Sequence, residues 1–372
     1  MKHNKNLVTV ILFLVLIIGG GLAFVLCPDK TFSENENRYL TKKPEISGEK
    51  LITGEYMEDF EEYVSDQFPM RDILMSISSD YRYLMGMRDI NGVYVASDGY
   101  LMTKTEKSDV DYARINKNTG YINEFFERYK GSIGSENICF MLIPEAAMVL
   151  KDRLPAFADS DWEKNIMEEI RGNIENAAVT EPEKAFPATD RELYYKTDHH
   201  WTVFGAFAAY RQYANLYGKT PDESEYNFTR VTDSFRGSLY SKVLLSKSSM
   251  DEISVYTDGQ DTQIKGDGES LPLYDYEALN RKDKYGVFLG GNYGLVEIEG
   301  KGEGNLLIIK DSFANSFVPF LIDDYAKIIM VDLRYYMGDI NLLTESENID
   351  RILVMYQFTN FISDENLIKL VF

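Results

Sequence analysis

Two of the three histidines in this 372-residue chain stand side by side in Thr197-Asp198-His199-His200-Trp201-Thr202; the third, His3, lies in a basic tail ahead of an apolar span. Imidazole can accept and return a proton near neutral pH. An acid close in sequence can hold such a ring in one tautomer and stabilise the imidazolium formed when it takes a proton. Asp198 and His200 therefore read as an orienting acid and a general base, with His199 pointing elsewhere in a structural role. The bland alternative is one buried structural ring and one exposed ring.

A nucleophile for this base is offered by Ser312, in Lys310-Asp311-Ser312-Phe313, just past the apolar run Asn305-Leu306-Leu307-Ile308-Ile309. A residue leaving a buried strand where the next helix begins sits at the edge where open α/β sheets bind ligands. There a serine can present its hydroxyl while its own N–H and the helix N-terminus stabilise a developing oxyanion. It can also simply cap the helix. If the loops at 198–200 and 312 share one sheet edge, His200 can deprotonate Ser312 with Asp198 behind it. Asp-His-His is also a set of metal ligands, but neighbouring residues rarely converge on one ion. No further His, Cys pair or acidic cluster completes a shell, so neither metal nor cofactor is expected.

The elements that must position these residues follow from periodicity. Tyr56, Phe60, Tyr63 and Val64 share a helical face that ends at Pro69. A second helix starting there carries the stripe Ile73, Ile77, Tyr81 and Leu84 and stops near Gly86. Residues 91–102 read as two short strands joined by Ser-Asp-Gly. From about Ser108, helices over 109–129 and 161–176 alternate with the strand 138–143, and a further helix runs from near Thr202 to Gly218. Later strand patterns are 286–289, 305–309, 327–331 and 351–355. Such runs, apolar on both parities, suit strands covered on both faces. The expected fold is α/β, a three-layer α/β/α parallel sheet, with 219–304 as a loop-rich excursion marked by turn signals at Asp258-Gly259 and Gly266-Asp267-Gly268.

Residues 7–27 are uncharged and long enough to cross a bilayer as a helix. Lys2 and Lys5 before them and Asp29 after them place tail 1–6 in the cytoplasm and the rest outside. A cleaved signal peptide is the rival, with small residues at Gly21-Leu22-Ala23, though the apolar run continues past them. Segment 28–107 then reads as a membrane-proximal linker, helical pair and hairpin, and 108–372 as the main domain. Only two cysteines occur, Cys27 in the span and Cys139 in an apolar strand, so the core must hold the domain together. A net charge of −21 argues against nucleic acid and against broad adhesion to anionic headgroups. The 26 tyrosines are compatible with sugar stacking, although those on helices, such as Tyr56 and Tyr63, suit a core better.

Several separated segments resemble the bacterial DHHW protein family: Thr197-Asp198-His199-His200-Trp201, residues 33–38 (SENENR), 66–72 (DQFPMRD), 91–94 (NGVY) and Lys310-Asp311-Ser312-Phe313. That family is similar to the alginate O-acetylation proteins of the SGNH hydrolase superfamily. The resemblance implies a flavodoxin-like sheet with Ser312 as nucleophile, His200 as base and Asp198 as acid, the Asp-His pair preceding the serine. Here the usual Gly-Asp-Ser reads Lys310-Asp311-Ser312, and the customary Asp-x-x-His is shortened to Asp198-His199-His200. Gly290-Gly291-Asn292 is similar to the Gly-x-Asn element that supplies oxyanion donors, which implies such a role for Gly291 and Asn292. The activity implied is transfer of acetyl groups to a surface polysaccharide through acyl-Ser312, with an esterase or a non-catalytic glycan-binding protein as alternatives. Transfer would require a multi-span membrane acyltransferase as partner, because one span cannot carry acetyl across the bilayer.

Overall fold

The computed structural model describes all residues except Met1, Glu34, Glu36, Asn37 and 258–261, and for 2–6, 12 and 16 the backbone alone. The expected turn at Asp258-Gly259 lies outside the described residues. Two compact units emerge: Met1–Met87 with Ser241–Lys247, and Arg88–Tyr240 with Ser248–Phe372.

In the first unit, helix α1 (Lys2–Leu26) contains Leu7–Leu26, long and apolar enough to cross a membrane, a description that a signal sequence also meets. Helix α2 (Glu55–Gln67) follows Gly54, whose φ of 86° makes the turn that a side chain would strain, and it ends at Phe68 ahead of Pro69. Helix α3 (Arg71–Leu84) follows. Asn35 and Arg38 meet Asp72 and Asp66 here, residues of two segments that carry the family resemblance. Arg38 forks onto Asp66 at 2.8 and 2.5 Å, the Thr41 N–H donates to Asp66, and Asn35 donates to Asp72. Tyr63 is buried, as its helical face suggests, but Ile73, Ile77, Tyr81 and Leu84 of α3 are all exposed.

The second unit is built on an eight-stranded sheet. Its strands are β1 (Ile138–Ile143), β2 (Ala178–Thr180), β3 (Ile264–Gly266), β4 (Glu269–Leu271), β5 (Leu295–Glu299), β6 (Asn305–Lys310), β7 (Lys327–Val331) and β8 (Arg351–Gln357). Their spatial order is β4-β3-β5-β7-β6-β8-β1-β2. The five strands from β7 to β2 are parallel, with Leu307 of β6 opposite Ile329 of β7 and Ile352 of β8. The other three extend the sheet in antiparallel fashion.

Alternate side chains feed two cores. Cys139, Met141, Leu306, Ile308, Leu353 and Met355 face one layer, which includes Ala206, Phe207 and Tyr210 of helix α4 (Val203–Asn215). Phe140, Leu142, Leu307, Ile309, Ile352 and Val354 face the other, against Phe125 of the helix Tyr112–Tyr129 and Ile166 of the helix Asp161–Gly172. This is the three-layer arrangement, and it explains why these strands are apolar on both parities.

Segment 219–304 contributes β3, β4 and β5 and a separate antiparallel ribbon, Phe228–Phe235 with Asp251–Tyr256. The strand expected at 286–289 does not form. Residues Lys284–Val287 make a 3-10 turn, and Leu289, Gly290 and Gly291 all have positive φ, so the chain cannot continue extended. Val287, Phe288 and Leu289 are apolar because they are fully buried, not because they pair in the sheet.

Gly205 sits in the first turn of α4, where a Cβ would lie 2.3 Å from the Leu193 carbonyl oxygen and 2.9 Å from Trp201 Cβ. Backbone at that distance cannot give way cheaply, so Gly205→Ala is expected to cost about 2 kcal/mol by overpacking. Urea denaturation checks this; an unchanged midpoint would mean the helix start can shift to accommodate the methyl group.

Candidate active site

The motif loop is closed at its base and clamped from the side. A bridge pairs Tyr194 with Trp201, the Tyr195 N–H donates to the His200 carbonyl at 3.2 Å, and the Thr202 N–H donates to the Leu193 carbonyl at 2.9 Å. Thr202 caps α4, its hydroxyl oxygen accepting from the Phe204 and Gly205 N–H groups. At the loop's tip the buried Asp251 carboxylate accepts the N–H groups of Lys196 and Thr197 at 2.7 and 2.8 Å and the Thr197 hydroxyl at 2.5 Å.

The serine turn is fixed independently. Asp311 accepts the Phe313 N–H at 3.0 Å, the Gln357 N–H at 2.7 Å and an Asn360 amide hydrogen at 2.8 Å, which ties the exit of β6 to the end of β8. Trp201 joins the two loops: its indole N–H donates to the Phe313 carbonyl at 3.1 Å and the Ser316 hydroxyl at 2.9 Å.

Between them lies one chain of hydrogen bonds. Asp198 Oδ1 is 2.6 Å from His200 Nδ1, and His200 Nε2 is 2.8 Å from Ser312 Oγ. Asp198 Oδ1 also accepts the His200 backbone N–H at 3.0 Å, and Oδ2 accepts the Ser238 N–H at 2.8 Å. Burial alone would raise the Asp198 pKa, but the two imidazoles and these hydrogen bonds outweigh it and hold the carboxyl well below the usual range. An ionised Asp198 requires the proton on His200 Nδ1, leaving the Nε2 lone pair toward the serine. Tyr285 lies flat on the His200 ring, with centroids 3.7 Å apart and planes 8° apart, and its hydroxyl donates to the Ser312 carbonyl at 3.2 Å. Asp198 and His200 are buried and Ser312 is partly exposed, so the hydroxyl is the reachable end of the chain.

His199 is held apart, its Nδ1 2.7 Å from the Ser238 hydroxyl and its ring 3.9 Å from that of His200. Burial and the neighbouring imidazole push its pKa down to about 4. The Gly291-Asn292 loop is fastened behind the serine turn: Asn315 Nδ2 donates to the Gly291 carbonyl and to Asn292 Oδ1, both at 3.1 Å. Lys310, buried at the end of β6, donates to Asn315 Oδ1 at 2.9 Å and Asn292 Oδ1 at 3.5 Å, with Asp332 3.7 Å away. Burial lowers its pKa to about 8 despite Asp332. Because Asn292 Oδ1 accepts from both, the Asn292 NH2 is the group left to donate. Among the described residues neither Asn292 nor Gly291 bonds Ser312 directly.

Asp198, His199 and His200 offer ligand atoms within 4.8 Å of one another. An ion there would have to break the chain to Ser312, since Nδ1 and Nε2 of His200 are both engaged in it. Sequence reasoning did not single out Tyr285, Asp251 or Ser238. Their positions carry no local motif, and Tyr285 borders the run misread as a strand.

The fold is a three-layer α/β one, with Ser312, His200 and Asp198 joined by hydrogen bonds at the carboxyl edge of the parallel sheet. The chain belongs to the DHHW family, whose description, "DHHW protein", matches residues 133–331. A DHHW family protein from Eubacterium siraeum has a similar structure, with a TM-score of 0.60 at 22% identity over 75% of this chain and 95% of that one. Bacillus cereus PatB1 with a sulfonyl adduct gives 0.62 at 21% identity over 75% and 98%. The O-acetyltransferase domain of Pseudomonas putida AlgJ gives 0.44 at 13% identity over 73% and 93%. No curated protein matches the sequence.

Two outcomes follow from this geometry. A Cβ on Gly237 would lie 2.3 Å from Asp198 Cβ and Oδ2, so Gly237→Ala must displace the acid. The far-downfield proton resonance expected of His200 Nδ1–H should vanish in that variant; its persistence would mean the acid is placed by other contacts. For His199, a base whose folded pKa is depressed takes its proton first in the unfolded chain. The folded state therefore loses stability as pH falls from the ordinary value of about 6.5 toward about 4. Urea denaturation across that window should show a shallower loss in His199→Gln than in wild type, and equal slopes would refute the assignment.

Proposed function

We propose that this chain is an extracytoplasmic serine acyl-transfer enzyme, an O-acetyltransferase that modifies a cell-surface or exported polysaccharide through an acetyl-Ser312 intermediate. The observation that carries the reading is the unbroken hydrogen-bond chain from an ionised, buried Asp198 through His200 to a reachable Ser312 hydroxyl. In the first step Ser312 Oγ attacks the acetyl carbonyl while its proton passes to His200 Nε2. The Ser312 N–H and the Asn292 amide hydrogens are the donors we assign to the oxyanion. Collapse expels the donor's leaving oxygen, which takes the proton from His200. A sugar hydroxyl then attacks the acyl-serine, gives its proton to His200, and releases Ser312 as that proton returns.

Water in place of the sugar gives an esterase with the same residues, so the acceptor decides between the two activities. The retained α1 would anchor the catalytic unit outside the cytoplasm, and a multi-span membrane acyltransferase would deliver the acetyl group.

The test is intact mass of the full chain in detergent after brief exposure to p-nitrophenyl acetate, beside Ser312→Ala and His200→Ala. A single acetyl adduct on Ser312 is expected, absent in Ser312→Ala and formed at least about a hundredfold more slowly in His200→Ala. Methanesulfonyl fluoride is a suitable second probe, given the sulfonyl adduct described for the similarly folded PatB1. Absence of both adducts in a folded wild-type protein would favour the non-catalytic glycan-binding reading. Adding an oligosaccharide acceptor to the acetylated protein then separates transfer from hydrolysis.

A further inference from the structure

The first unit contains a helix built the wrong way round for a water-soluble domain. A surface helix normally turns its apolar stripe to the core and its polar face to water. In α3 the one buried residue is Ser79, while Met70 at its N-cap and Ile73, Leu74, Ile77, Tyr81 and Leu84 are exposed, from 47% for Leu74 to 81% for Leu84. Their spacing, at intervals of three and four residues, puts them on one continuous stripe along the whole helix. Scattered exposed apolar residues need no explanation, but an unbroken stripe does.

Contacts within the same unit indicate what covers it. A Cβ on Gly20 of α1 would lie 3.3 Å from Phe68 Cζ, and the Phe24 ring is 5.7 Å from that of Tyr63. The link from α1 is fastened to α2 by the Tyr63 hydroxyl on Asp29 at 2.9 Å and by Gln67, whose amide pairs with the Lys30 backbone in both directions at 2.9 Å. Gly20 lies six residues before Leu26, which is about 9 Å along a helix. If Leu7–Leu26 spans the bilayer, Phe68 is therefore held below its outer boundary. The helix that starts three residues later begins in the headgroup region, where interfacial helices bury an apolar face to a depth of about 5–10 Å.

We infer that α3 is an interfacial membrane helix: it lies in the outer leaflet with Ile73, Ile77, Tyr81 and Leu84 among the acyl chains and fixes the first unit against the lipid surface. The occupant is lipid rather than protein because the turn leading into the helix is already packed on the membrane-spanning segment. The binding is apolar rather than ionic, in keeping with the chain's negative charge. The inference rests on the proposal that α1 is retained as an anchor, and the experiment separates the two.

Nitroxide labels on single cysteines report immersion through the ratio of oxygen to water-soluble nickel accessibility in the full chain reconstituted into phosphatidylcholine vesicles. The background is Cys27→Ser, with the fully buried Cys139 left in place. The positions are Ile77→Cys and Leu84→Cys on the stripe, Ser78→Cys beside it, Leu14→Cys in α1, and the exposed Glu168→Cys as a water reference. The ratio at positions 77 and 84 is expected to exceed that at 168 several-fold, with 78 below both and 14 in the lipid range. Water-like values at 77 and 84 with an immersed 14 would overturn the inference and leave the anchor standing. A water-like 14 would remove the anchor and the inference together. Labels at 77 and 84 shielded from both reagents would mean that protein covers the stripe, and would also overturn it.

Discussion

The hydrogen bond between Asp198 and His200 is the constraint on which the rest of the site depends. A buried carboxylate is costly unless its oxygens are satisfied, and here they accept from the His200 ring, the His200 backbone and the Ser238 backbone. Once ionised and fixed, the acid dictates the imidazole tautomer, and the tautomer dictates which nitrogen faces Ser312. The surrounding arrangements serve that geometry from several directions. Asp251 clamps the backbone before the acid, Tyr285 prevents the ring from tipping, and the close approach at Gly237 leaves the carboxylate little room to move. The supports come largely from 228–289, so the segment between His200 and Ser312 belongs to the site.

The sheet contributes direction. β6 is flanked on both sides by parallel neighbours, so its exit points out of the carboxyl edge at a depth set by β7 and β8. Asp311 makes that exit stiff by accepting from the end of β8, and Trp201 pins the histidine loop to the same turn. Two loops separated by 112 residues in sequence are thereby referenced to one frame, which a hydrogen bond of 2.8 Å between them requires.

Much of this was legible in the sequence because it rests on periodicity and on scarce residue types. The runs 138–143, 305–309, 327–331 and 351–355 are apolar on both parities, and they are the strands buried on both faces. Asp198, His200 and Ser312 stood out because the chain holds so few histidines and because a serine follows an apolar strand run. What could not be read depends on long-range contact. The run at 286–289 is as apolar as the true strands, and only the positive φ values that follow it make it a turn. The stripe of α3 looks in sequence like any core-facing helix, since periodicity shows that a face is apolar without showing what it faces. Tyr285 and Asp251 act through partners some 50 to 90 residues away, which spacing cannot reveal.

The position of β8 has a consequence for the order in which the protein is made. This strand, Arg351–Gln357, lies between β6 and β1, and the register joins Leu353 to Cys139 on one side and to Ile308 on the other. Synthesis runs from the amino end, so β1 and β2 emerge more than a hundred residues before β6 and wait for a neighbour that is made after β6 and β7. The two halves of the parallel sheet cannot join until β8 has been made, which defers closure of both hydrophobic layers until that strand is available. Loss of Arg351–Gln357 would therefore remove the strand that holds those halves together, not trim an edge.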